Sequence, residues 1–277
     1  MDTGDFCNPI PHVPVLTTPR HSFDYNMCHK NRGICLILEN ENFSERHPST
    51  RSLGRRTGSH VDVQRSLEVF SSLGFQLFHQ KDLTRTNTLQ LLKSLAAMDH
   101  RESDCFVCVV LTHGDHGELY AHDGKYSIDL LFRYFLADNC PTLCGKPKLF
   151  FIQACQGGML DEGVLVRQTS RDSTDTVSYF KIPTYADFMI AYSTLPGFYS
   201  FRNTEKGSWF IRALCDVLEK YNLEFDLLTM MTMVSQRVAY DYTSQAATAE
   251  FSQKKQVPCL TSMLTRRVYL TPKSLQL

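Results

Sequence analysis

The chain has 277 residues, 43% of them hydrophobic and 21% charged, and its 29 basic and 29 acidic side chains cancel. Balanced charge leaves no electrostatic footprint for nucleic acid or an anionic membrane surface, and no apolar run is long enough to span a bilayer. The N-terminus lacks an apolar h-region, and the ten cysteines are scattered singly, so a cytoplasmic, reducing compartment with free thiols is expected.

Residues 1–24, rich in Pro, Thr and His, read as a flexible lead. GICLILEN (33–40) is a short apolar run and predicts a buried strand. A polar, breaker-rich stretch (41–60) predicts a long loop. Val63, Leu67 and Phe70 at helical spacing predict a helix over 61–74. A strand is expected over 75–80, and a helix over 86–100 capped by Thr86 or Asn87. CFVCVVLTHG (105–114) predicts a third strand, 127–139 a helix, and KLFFIQAC (148–155) a fourth strand. Periodicity is lost over 161–180. A fifth strand (187–195), two helices (206–222 and 225–242) and a final strand (262–270) complete the pattern.

Continuously apolar strands alternating with helices predict an α/β fold with a central, mostly parallel six-stranded sheet and helices on both faces. In such sheets active groups gather at the carboxyl ends of the strands. Two predicted strand ends carry chemistry: Thr112-His113-Gly114 and Gln153-Ala154-Cys155. A thiol attacks as the thiolate and needs a base close by, and His113, 42 residues upstream, is the natural partner. Gly114 can expose its N–H to an oxyanion. Gly157 and Gly158 let the chain turn so that the Cys155 N–H faces the same point.

Other readings are weaker. Cys105 and Cys108 are spaced C-x-x-C but lie inside a strand run, so core packing is expected. His113 and His116 lack the further ligands of a metal site. The Met-rich stretch 230–233 reads as helix core. A cysteine phosphatase would need Arg six residues after the nucleophile, where Asp161 stands.

Gln153-Ala154-Cys155-Gln156-Gly157 matches the Q-A-C-[RQG]-G signature of caspases. The segments RGICLIL, RTGSHVDV, LTHG, FFIQACQGG, KIPTYADF, AYSTLPGFYSFRNTEKGSWF and KKQVPCLTSMLT also resemble caspase segments, in the family's order. The short lead and the wording of these segments resemble effector caspases, those of invertebrates above all. The resemblance implies an Asp-directed cysteine endopeptidase of the executioner type, with His113 and Cys155 as the dyad and Gly114 in the oxyanion hole. Arg56, Gln153 and Arg202 match residues that hold the substrate Asp. Ser200, Phe201 and Arg202 resemble the segment that pairs with the substrate backbone, and Phe201, Asn203 and Trp209 match pocket walls beyond it. Phe201 stands where the family often has Trp, and Gln156 where Arg is commonest. A peptidase cutting after Lys or Arg would need acids where this pocket supplies arginines.

The resemblance further implies a zymogen cut within 161–180 into a large subunit (25–175) and a small subunit (176–277). Asp175 or Asp172 would be the processing site, and Asp5 a weaker one. It implies no metal or organic cofactor, an apoptotic role, and activation by an initiator caspase. Inhibitor-of-apoptosis proteins would be regulators, and a homodimer of subunit pairs would meet at the last strand. The alternative is a catalytically weak caspase-like regulator or scaffold.

Overall fold

The computed structural model describes residues 16–160, 183–245 and 248–275. In chain order the elements are β1 (Ile34–Glu39), α1 (Ser59–Ser72), β2 (Gln76–Lys81), α2 (Arg85–Ala96) and β3 (Phe106–Leu111). A small hairpin sheet follows, β4 (Gly114–Asp115), β5 (Glu118–Ala121) and β6 (Gly124–Ser127), then α3 (Asp129–Arg133) and β7 (Lys148–Gln153). The second half holds β8 (Phe188–Tyr192), β9 (Arg202–Asn203), β10 (Gly207–Ser208), α4 (Trp209–Tyr221), α5 (Leu227–Asp241) and β11 (Cys259–Ser262).

Six strands form one sheet in the order β11-β8-β7-β3-β1-β2. All neighbours are parallel except β11, which runs antiparallel to β8. Every residue of β1, β3 and β7 is buried, as their apolar runs require, and so are the polar ends Glu39, Lys148 and Gln153. One face packs α1, α4 and α5 through Val69, Phe70, Phe210, Leu214 and Met230. The other packs α2 and α3 through Leu92, Leu95, Leu131 and Phe132. Cys105 and Cys108 are both buried and belong to opposite faces, so the C-x-x-C pair is core packing, as expected. Among the described residues, no helix is long and apolar enough to cross a membrane.

The structure corrects three expectations and adds a hairpin sheet. The helix expected over 127–139 is only Asp129–Arg133, because Phe135 N–H folds back to the Phe132 carbonyl (2.9 Å) and seats both rings in the core. The final strand is Cys259–Ser262, not 262–270. After Met263 donates to the Phe188 carbonyl (2.8 Å), the chain leaves the sheet and buries Val268 and Leu270 on the α4–α5 face. Thr84, rather than Thr86 or Asn87, caps α2 by accepting from Asn87 N–H at 3.2 Å. The hairpin β4–β6 was not expected, although Asp123-Gly124 between polar-apolar alternations is a turn signal.

Candidate active site

Strands β3 and β7 are adjacent and parallel, and Leu111 pairs with Gln153 at their carboxyl ends. The Thr112 N–H continues the ladder to the Gln153 carbonyl at 3.1 Å. The carbonyl of His113 accepts from Tyr120 N–H (3.1 Å), so the hairpin fixes the histidine backbone. A Cβ on Gly114 would lie 2.4 Å from the Cys155 carbonyl oxygen and 2.9 Å from the Ala154 Cβ. Only glycine lets the segment after His113 lie against the cysteine segment this closely. A cleft of about 270 Å³ opens here, lined by Thr112, His113, Cys155, Arg56, Arg202 and their neighbours.

The His113 ring spends Nε2 on the Gly54 carbonyl at 2.8 Å. A carbonyl only accepts, so Nε2 carries the proton and the neutral ring keeps its lone pair on Nδ1. The Phe43 ring packs beside it, centroids 4.9 Å apart. Burial pushes His113 down to about 4; the Gly54 bond opposes this, and the charges of Arg56 and Arg202 add to it. Burial also pushes the Cys155 thiol up, against the pull of Ser200, Arg56 and Arg202. The Ser200 N–H points at Cys155 Sγ from 3.4 Å. At neutral pH the pair therefore rests as thiol and neutral imidazole. His113 and Cys155 line the same cleft without a direct hydrogen bond between them.

Arg56 is 1% exposed, donates to the Asn40 carbonyl (3.4 Å), and is pushed down to about 9 by burial and by Arg202. Arg202 is held by the Thr57 carbonyl at 3.1 Å. Two guanidinium groups thus share one cleft, and among the described residues no carboxylate bridges them, although Asp62 and Glu39 bear on Arg56 electrostatically. Asp62 is buried, accepts from Ser208 N–H at 2.7 Å and leaves Oδ2 without a partner. Gln153 donates Nε2–H to Ser200 Oγ (2.7 Å), and its buried Oε1 is unpartnered.

Beyond the arginines lies a second hollow of about 320 Å³, lined by Phe201, Asn203, Trp209, Ser244 and Phe251 among others. Trp209 is stacked between Phe201 (centroids 4.8 Å) and Tyr242 (5.4 Å). The Phe201 N–H is taken by Gln256 Oε1 at 2.7 Å. Asn203 caps the tight turn to β10, accepting from Glu205 and Lys206 N–H at 2.9 Å each.

All ten residues expected at the site, from Arg56 to Trp209, line these two hollows or, in Gly114, abut them. Sequence reasoning did not single out Gly54, Phe43, Asp62, Tyr199, Phe251 or Gln256: Phe43 and Gly54 come from the β1–α1 loop, Asp62 from the first turn of α1, Phe251 and Gln256 from the stretch before β11, and Tyr199 stands beside Ser200. Asp5, Asp172 and Asp175 lie outside the described residues.

A thiol and a weakly basic imidazole on neighbouring strand ends, lining one cleft, are the equipment of a cysteine hydrolase. The caspase-domain family model matches residues 32–269. The chain is 45% identical over 267 residues to caspase drICE of Drosophila melanogaster, covering 95% of this chain and 77% of the relative. It is 46% identical over 260 residues to caspase-1 of Spodoptera frugiperda, 94% and 84% covered. With caspase-3 of Mus musculus it shares 41% over 245 residues, 88% and 86% covered. The crystal structure of caspase-1 from Spodoptera frugiperda superposes with a TM-score of 0.86 at 44% identity, covering 94% of this chain and 98% of that one. The chain belongs to the caspase family and is a cysteine endopeptidase.

Proposed function

We propose that the chain hydrolyses peptide bonds after aspartate as an executioner-type caspase. The observation that carries this reading is the pair Arg56 and Arg202, two guanidinium groups that no carboxylate among the described residues bridges, in the cleft that also holds Cys155. A substrate carboxylate entering between them gains charge-assisted hydrogen bonds and relieves their mutual repulsion. Gln153 lines the same cleft, where its amide is held by the Ser200 hydroxyl.

The reaction follows from the groups present. His113 Nδ1 takes the Cys155 proton as Sγ attacks the carbonyl carbon, and the N–H groups of Gly114 and Cys155 receive the oxyanion. The C–N bond breaks as His113 returns the proton to the leaving amine. Water, deprotonated by the same imidazole, then releases the acid from the thioester. The segment Ser200–Arg202 offers backbone to an extended substrate as an added strand, and Phe201, Trp209 and Asn203 wall the positions beyond.

Family membership supports the rest: a cytoplasmic zymogen processed near Asp175, activation by an initiator caspase, restraint by inhibitor-of-apoptosis proteins, and a role in apoptosis. For the homodimer, β11 is the face that fits. It is the antiparallel edge of the sheet, and Leu260, Thr261 and Ser262 are exposed there. The test is a tetrapeptide library with Asp, Asn or Lys before the scissile bond, run on the wild type and Cys155→Ala. Cleavage confined to Asp and lost in the variant is expected. Equal turnover of Lys peptides, or turnover by Cys155→Ala above about a thousandth of wild type, would end the reading.

A further inference from the structure

The loop between β1 and α1 makes two deliveries to the active site at once. Its Gly54 carbonyl receives the His113 Nε2–H at 2.8 Å, and two residues later Arg56 enters the acid pocket. A polar loop of this length needs an anchor to hold both within tenths of an ångström. The anchor is Glu41, at the exit of β1. Its carbonyl accepts the Arg56 N–H at 2.9 Å. Its carboxylate Oε1 accepts from Arg55 Nε at 2.9 Å and faces Arg55 Nη2 at 2.8 Å, while Oε2 accepts from Lys81 at the end of β2. Its own N–H is fixed by Asp82 Oδ1 at 2.7 Å. The Glu41 side chain is 5% exposed, whereas that of Arg55 is 65% exposed. Lys81 and Arg55 together hold the Glu41 carboxyl below its ordinary range, so it is ionised at neutral pH. Charged groups around it are Arg55 on the loop, Lys81 and Asp82 at β2, and Arg202 at longer range.

We infer that Glu41 is a positioning residue for catalysis: through Arg55 and Lys81 it clamps the Gly54–Arg56 turn, holding the Gly54 carbonyl on His113 and Arg56 in the acid pocket. Gly54, Arg55 and Arg56 are consecutive, so a turn released at Arg55 moves both neighbours together. The catalytic part of this inference rests on His113 being the base; the clamp itself is a geometric statement that stands apart from it.

The test uses Glu41→Gln, Arg55→Gln and the conservative Arg55→Lys, with two readouts. The first is independent of activity: nitrogen-15 NMR of the His113 Nε2–H in the full chain. A slowly exchanging signal is expected in the wild type and Arg55→Lys, and its loss to solvent exchange in the two Gln variants. The second is kcat and KM on an Asp peptide. Rates are counted per active site by titration with an irreversible Asp-bearing peptide ketone, so unfolded protein does not enter. Here kcat per site falls about tenfold in both Gln variants and recovers to within about threefold in Arg55→Lys. A retained Nε2–H signal in both Gln variants overturns the clamp, and so does unchanged kcat per site. If the signal behaves as expected but His113→Asn turns over like the wild type, the clamp stands and the assignment of His113 as base is what fails.

Discussion

Leu111 and Gln153 face one another at the last paired position of β3 and β7. His113 stands two residues past the first and Cys155 two residues past the second. The parallel register thus carries an imidazole and a thiol, 42 positions apart in sequence, into one cleft. Because the chain leaves both strands at the same level, the offset is set by backbone hydrogen bonds rather than by the side chains that use it.

The resting charge state of this pair has a measurable consequence. With Cys155 raised and His113 lowered to about 4, the thiolate is scarce at neutral pH. Alkylation of Cys155 by iodoacetamide, which needs no acid pocket, should rise about tenfold per pH unit from 6 to 8. A flat rate across that window would mean a preformed thiolate–imidazolium pair. Stability carries the same sign. The folded pKa of His113 lies below its ordinary 6.5, so the unfolded chain takes up the proton first as pH falls. The full contribution is present above 6.5, declines between 6.5 and about 4, and levels off below. The total is at most about 3.5 kcal/mol. Acid unfolding curves of the wild type and His113→Asn should diverge over that interval alone.

Arg56→Ala and Arg202→Ala should each weaken cleavage after Asp by roughly 2–5 kcal/mol in kcat/KM, since a buried carboxylate loses a charge-assisted partner. Arg56 is the deeper of the two and should be the more costly loss. Both variants should narrow the gap between Asp and Asn peptides, and a selectivity ratio equal to the wild type's would remove the pocket assignment.

Phe201 stacks on Trp209 and lines both hollows, so it borders the cleft of the two arginines and the wall beyond it. Phe201→Trp enlarges that wall and adds an N–H donor. Library profiling should show changed preference at the second and fourth positions before the cut, with the Asp requirement intact. An identical profile would show that residue 201 does not shape those positions.

Maturation is checked by co-expressing the wild type or Asp175→Ala with an active initiator caspase and sequencing the new N-termini. Thr176 should appear as a new N-terminus only in the wild type, because Asp172-Ser173-Thr174-Asp175 supplies a D-x-x-D site in a polar stretch. Identical fragments from both proteins would move the site to Asp172 or Asp161.

Apolar runs alone were enough for β1, β3, β7 and β8, because a strand buried on both faces has no choice of composition. The placement of Cys155 and His113 in one cleft was legible for a related reason: both follow closely on such runs, and in a parallel sheet carboxyl ends share an edge. The shortened α3 and the early end of β11 were not legible. In both places the composition suits a longer element, and contacts made far away in sequence (Phe135 on Phe106, Met263 on Phe188) decide where the chain turns. The tautomer of His113 and the anchoring of the Gly54–Arg56 loop at Glu41 belong to the same class. Sequence determined which groups exist and on which strand ends they fall. Tertiary structure alone decided their protonation and orientation, because burial, a carbonyl 59 residues away and a neighbouring guanidinium act through space.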